Sequence, residues 1–150
     1  MARLVGIRWG SWFLSGLLAG VVIAVSGTVL AHAVLGSEYV AAFRAHMAAP
    51  LPPVSAIIAQ NLLIRFGYGL LGMFLYVAFR PRFGPGPGTA LLAGAALALG
   101  TYLPGLYHLA QFGILSGGKL WIAAGWGVAE AMIACLLGAW LYREPPARSA

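Results

Sequence analysis

Four apolar stretches, at about 12–35, 54–79, 89–112 and 120–142, take up most of a 150-residue chain and leave only short connections. A helix needs roughly 20 mostly apolar residues to cross a hydrocarbon core about 30 Å thick. Each stretch meets that length, and backbone polar groups in hydrocarbon must be satisfied within the segment, which favours helices. Only 8% of the residues are charged, against about 25% in an ordinary soluble domain. A soluble domain and a disordered polar chain are thereby excluded. The expected fold is all-α, an integral membrane bundle of four transmembrane helices forming a single domain over 1–150. Gly36-Ser37 with Pro50, Pro52 and Pro53, the run from Pro81 to Gly88, and Ser116-Gly117-Gly118 mark the connections.

Orientation follows from the basic residues. Arg3 and Arg8, Arg80 and Arg82, and Arg143 and Arg148 fall on one side of a four-span chain, while Arg44 and Lys119 fall on the other. Positive residues are retained on the cytoplasmic face, so both termini are expected in the cytoplasm. Trp9, Trp12, Trp140 and Tyr142 near the inner boundary, with Tyr39 and Trp121 near the outer one, fit interfacial aromatic belts. Ala31-His32-Ala33 mimics a signal cleavage site, but the apolar run before it exceeds the 7–15 residues of a signal core, so a retained helix is expected. Between the first two spans, Tyr39, Val40, Phe43 and Met47 recur at helical spacing, which predicts a short surface helix with Glu38 and Arg44 toward water; an irregular loop is the alternative.

The net charge of +6 is spread too thinly for a nucleic-acid stripe, so no nucleic acid is expected as a partner. A single cysteine, Cys135, excludes an internal disulfide framework and a Cys-based zinc site.

The second connection reads Leu75-Tyr76-Val77-Ala78-Phe79-Arg80-Pro81-Arg82-Phe83-Gly84-Pro85-Gly86-Pro87, followed by Thr89-Ala90, and the last span carries Trp126-Gly127-Val128-Ala129-Glu130-Ala131 and Gly138-Ala139-Trp140-Leu141-Tyr142-Arg143-Glu144. In these segments the chain resembles a group of uncharacterised small bacterial membrane proteins. The resemblance implies four helices in a bacterial cytoplasmic membrane and no assigned activity. Many relatives carry an acidic residue in the first span, where this chain has Val25-Ser26-Gly27. Physically, the proline and glycine string makes a stiff turn. It places Arg80 and Arg82 beside anionic lipid head groups, each worth about 1 kcal/mol of surface attraction. A phosphate-binding loop does not fit, because the prolines remove amide donors and no Gly-Lys-Ser or Gly-Lys-Thr follows.

Two charges fall inside the spans. Arg65 lies about 16 Å below the outer boundary at 1.5 Å per residue, and Glu130 about 15 Å below it. Both spans run inward, so the two meet at one depth near the midplane, where a lone charge costs at least about 2.5–3.5 kcal/mol. A direct Arg65–Glu130 pair is the expectation, provided that the second and fourth spans touch. The pair would either hold those spans in register or line a polar cavity with Glu130 as a proton or cation site.

Other polar residues gather toward the outer half: His32, Gln60, Asn61, Tyr102, Tyr107, His108 and Gln111. Pro104 and Gly105 should loosen the third helix beside them, giving a water-containing pocket open outward; ordinary interhelical hydrogen bonding is the alternative. The candidate intramembrane site is therefore Arg65, Glu130, Asn61, Tyr102, His108 and His32. Two facing imidazoles, His32 and His108, could ligate a haem iron, but no haem signature accompanies them and no cofactor is expected. The chain has no aspartate, no His-Glu-x-x-His and no nucleophile elbow, so no catalytic activity is expected.

Small residues mark expected packing faces at Gly16 and Gly20, Ala96 and Gly100, Ala123, Gly127 and Ala131, and Ala134 and Gly138. They serve either packing within the bundle or association with a second copy or another membrane protein. The expected role is a non-catalytic structural or interaction component of the membrane; the alternative is a small proton- or cation-linked transporter or channel using Glu130.

Overall fold

The computed structural model describes residues 8–47 and 50–142. Arg3, Arg143 and Arg148, which enter the orientation argument, lie outside the described residues. Helix α1 spans Trp9–Val29 and passes into a π-helical turn at Leu30–Val34; α2 is Gly36–Ala45 and α3 is Val54–Phe83. Helix α4 spans Pro87–Leu97, a second π-turn covers Ala98–Tyr102, α5 continues over Leu103–Gln111, and α6 is Gly117–Leu141. No strand occurs among the described residues. The structure is all-helical, and four stretches are long and apolar enough to cross a membrane: Trp9–Val34, Val54–Phe83, Pro87–Gln111 and Gly117–Leu141.

The boundaries follow local chemistry. Pro53 precedes α3 and lends its carbonyl to Ala56 N and Ile57 N, at 2.9 and 3.2 Å. At the far end α3 runs four residues beyond the expected limit, through Pro81. Gly84 stops it with φ +79°, a conformation open to glycine at no steric cost. Pro87 then opens α4 at its first turn, where a missing amide costs nothing. Thr89 Oγ1 donates to Gly84 O at 2.7 Å, so the connection is tied to itself. Arg80 and Arg82, both expected at the lipid surface, differ in exposure, and Arg80 is half-buried. Its guanidinium lies over Tyr76 and Tyr142 at 5.5 and 5.4 Å from the ring centroids, and Arg82 alone of the two stays exposed. The ring faces offer the cation an attraction that a mobile head group would have to compete with.

Each long helix packs against its chain neighbours, α1 on α3, α3 on α4 and α4 on α6, and α6 returns to α1. Helices α3 and α6 also touch, across the middle. Contact is tightest where side chains are absent. A Cβ on Gly16 would lie 3.0 Å from Leu70 Cα, and one on Gly20 2.9 Å from Phe66 Cα. From the other side, a Cβ on Gly69 would run into the backbone of Gly16 and Gly20. On the opposite wall, a Cβ on Gly94 would clash with the α6 backbone at Ala131 and Met132. The expected Gly16/Gly20, Ala123/Gly127/Ala131 and Ala134/Gly138 faces are all buried. The Ala96/Gly100 face is not used: Gly100 is exposed with open space around it. In its place α4 turns Ala90, Ala93, Gly94 and Leu97 inward, the i, i+3, i+4, i+7 set of a different side of the helix.

Two apolar clusters result. The larger gathers Ala19, Ile23, Met73, Leu97, Ala131 and Cys135 in the half near the chain termini. The smaller joins Leu35, Leu115 and Ala123 near the α1–α2 and α5–α6 connections. There Lys119 Nζ reaches Leu35 O at 3.3 Å and Glu38 Oε2 at 3.1 Å, an exposed pair of small energetic weight. The short helix expected between the first two spans is present as α2.

Because α1 and α3 meet backbone to backbone, Gly69→Ala is expected to lower stability by about 1–3 kcal/mol, the usual cost of overpacking. Gly67→Ala, where nothing lies within 4 Å, should be neutral or mildly stabilising. Thermal unfolding of both variants in lipid nanodiscs checks this; equal melting temperatures would remove the backbone contact as the determinant.

Candidate functional site

Between the two apolar clusters lies a chamber of about 240 Å³, bounded by Ile23 of the one and Leu35 of the other. Arg65 and Glu130 both line it, with Asn61 and the rings of Tyr39, Tyr68 and Tyr102. The two charged residues therefore share one cavity, as their common depth suggests, but they do not pair. Arg65 Nη1 donates to the carbonyl of Ile23 on α1 at 2.8 Å. Glu130 Oε1 accepts the Tyr102 hydroxyl at 2.7 Å. The expected Arg65–Glu130 ion pair is absent, and the one ion pair between side chains of the described residues is Lys119–Glu38.

Local packing explains the correction. Arg65 is four residues before Gly69, so it shares the face of α3 that seats on α1. Gly27 receives it there: a Cβ on Gly27 would collide with the guanidinium. A carbonyl has two lone pairs, so Ile23 O can accept from Arg65 beside its helical bond. Glu130 is fully turned inward on α6, at 4% exposure. One turn earlier, Gly127 leaves room for the Tyr102 ring, which a Cβ would meet at 2.8 Å. The wide turn at Ala98–Tyr102, just ahead of Pro104, presents Tyr102, and Thr101 Oγ1 donates back to Leu97 O at 2.6 Å within it. Such π-turns recur at functional sites because they redirect side chains within a continuing helix. Tyr68 packs beside Tyr102 with ring centroids 5.6 Å apart. Trp126 Nε1 donates to Ser26 Oγ at 2.8 Å and joins α6 to α1 at this level.

Glu130 Oε2 is buried and has no hydrogen-bond partner among the described residues. Leaving such a group unsatisfied costs about 1–3 kcal/mol, and more when it carries charge. Arg65, half-buried, donates through Nη1 to Ile23 O, whereas a guanidinium has five N–H donors. Burial pushes the Tyr39 phenol above its usual range, and the Arg65 charge partly opposes that rise, so the field of the guanidinium reaches across the chamber to α2.

A second hollow, a groove of about 530 Å³, runs between α2 and the N-terminal part of α3. It shares Ala31, Tyr39, Asn61 and Arg65 with the chamber, so Arg65 forms a wall common to both. His32 and Arg44 line the groove. Of the six candidate residues, Arg65, Glu130, Asn61 and Tyr102 line the chamber, and His32 lines only the groove. His108 lines neither; it is exposed on α5, its ring 6.0 Å from that of Tyr107. The paired-histidine reading for haem thus finds no shared cavity. Gln111 Nε2 donates to the Tyr107 hydroxyl at 2.9 Å on the same exposed helix, away from the chamber. No group of three or more His, Cys, Asp or Glu among the described residues could hold a metal ion.

Sequence reasoning overlooked Tyr39, Tyr68 and Gly27. Tyr68 was within reach of it, since it follows Arg65 by three residues and so lies on the same side of α3. Gly27 carries no signal of its own, because only the approach of α3 gives it a role.

No protein-family model, curated protein or solved structure matches the chain.

Since Glu130 is bonded to Tyr102 rather than to Arg65, double-mutant cycles should show it. Tyr102→Phe with Glu130→Leu is expected to give a coupling of about 0.5–3 kcal/mol, as for residues in contact. Arg65→Gln with Glu130→Leu should be closer to additive. Melting curves of the five variants in nanodiscs measure both, and a larger coupling for the arginine pair would restore the ion pair.

Proposed function

We propose that the protein is a small non-catalytic carrier of the bacterial cytoplasmic membrane, with both termini in the cytoplasm, in which Glu130 binds a proton or a cationic group. The observation that carries this is the Glu130 carboxyl itself. It is 4% exposed, with one oxygen bonded to Tyr102 and the other unpartnered among the described residues, in a chamber that adjoins the larger groove. Ionisable residues inside a membrane are costly and mark ion and substrate pathways. A purely structural carboxyl would be expected to have both oxygens satisfied, as buried polar groups in general are.

Orientation rests on the excess of arginine at the termini and the second connection. The bacterial setting rests on the resemblance carried by the Arg-Pro-Arg-Phe-Gly-Pro-Gly-Pro string. The bilayer is the first partner, and Arg82 faces its anionic head groups. A second reading, a structural component that associates with another copy or another membrane protein, draws on the exposed Gly67, Gly100 and Gly125, which meet no neighbour within the bundle.

Liposomes loaded with a pH-sensitive dye and given an imposed gradient test the carrier reading. The wild-type protein should dissipate the gradient, with or without added monovalent cations, while Glu130→Gln should retain its melting temperature within a few degrees and lose the flux. Equal flux from wild type, variant and empty liposomes would favour the structural reading. For topology, Ser149→Cys in a Cys135→Ser background should resist an impermeant thiol reagent applied to intact cells; labelling would reverse the orientation.

A further inference from the structure

Arg65 and Glu130 present opposite charges to one chamber without forming an ion pair. Electrostatics in such an enclosure constrains what can occupy it. A lone cation would satisfy Glu130 and leave Arg65 uncompensated, and it would bring its own net charge to the membrane midplane. A lone anion would do the reverse. A molecule carrying both charges compensates both residues and enters with no net charge, which is the least costly way to fill a site of this kind.

We infer that the chamber binds a small zwitterion, an amine bearing at least one N–H together with a carboxylate: its ammonium on Glu130 and its carboxylate on Arg65. This rests on the reading of Glu130 as a cation site and names the substrate class for it. Glu130 Oε2 is an acceptor without a donor, so the ammonium must supply an N–H, which a quaternary ammonium lacks. The rings of Tyr39, Tyr68 and Tyr102 line the same chamber and attract a cation through their faces. Arg65 is suited to the carboxylate, because its planar fork matches two oxygens and Ile23 O occupies only Nη1. Size agrees: the chamber, at about 240 Å³, exceeds the roughly 150 Å³ cavity that takes up benzene. The approach agrees as well. The groove that leads to Arg65 carries Arg44 and His32 and no acidic residue in its lining, so a carboxylate is drawn inward along it.

The test uses the whole protein in nanodiscs and reads the ligand-dependent change in tryptophan fluorescence, to which Trp126, one turn from Glu130, contributes. Glycine, β-alanine and γ-aminobutyrate vary the charge separation; butylamine, butyrate and glycine betaine each remove one element of the proposed recognition. One of the three amino acids should bind at least about tenfold tighter than butylamine, butyrate or betaine, a gap of about 1.4 kcal/mol. Arg65→Gln should abolish that preference while butylamine binding persists, and Glu130→Gln should abolish binding of both amines. Butylamine binding as tightly as every amino acid would overturn the zwitterion and leave the Glu130 cation site standing. Betaine binding as tightly as the best amino acid would overturn the N–H requirement. Saturable binding of none of the six would overturn the zwitterion, and gradient dissipation that still requires Glu130 would then show the carrier reading surviving alone.

Discussion

Backbone contact between α1 and α3 is the constraint on which the rest depends. Gly16 and Gly20 on one helix and Gly69 on the other leave no side chain between the two backbones. In a membrane, where lipid tails are as apolar as the helices, such close packing replaces the hydrophobic effect as the force that brings helices together. Once this contact is made, the same face of α3 continues to Arg65 and the same face of α1 continues to Gly27. The guanidinium then has a seat and a carbonyl within 2.8 Å. Its partner is decided by the helix against which α3 lies closest, which is α1 and not α6.

The packing is uneven along the membrane normal. In the half near the termini, alanine and glycine let α4 and α6 approach as α1 and α3 do, and Met73, Leu97 and Cys135 fill the centre completely. In the other half, α3 is largely exposed from Val54 to Ile64 and α5 buries no residue. Two π-turns lie at the change between these regimes, one at the end of α1 and one ahead of Pro104. Pro104 cannot donate a backbone hydrogen bond, and a wide turn just before it accommodates that loss. The looser half therefore opens into the chamber, while the dense half keeps its walls in place.

Chemically, the chamber separates two charges that would cancel if they touched. A buried ion pair is a self-sufficient structure; two charges facing a common hollow are not, and each keeps donors or an acceptor for something else. Tyr102 holds Glu130 in one orientation through a single hydrogen bond, and Gly127 makes that approach possible. The bonded Trp126 and Ser26 secure α6 to α1 at the same level.

Much of this molecule could be read from the order of its residues. Long apolar runs set the four helices, because hydrocarbon requires each backbone to satisfy its own hydrogen bonds. Helical rise set the common depth of Arg65 and Glu130, because depth along a straight helix depends on residue count alone. The spacing of Gly16 and Gly20 and of the α6 alanines marked faces that are in fact buried. Rotation and neighbourhood were beyond such reasoning. Which way α4 turns decided that Ala93 and Gly94 are buried where Ala96 and Gly100 were expected. Which helix α3 meets decided that Arg65 bonds Ile23 and that Arg80 lies against aromatic rings. Depth is a property of one helix, whereas a partner is a property of two, and only the packed structure specifies the second.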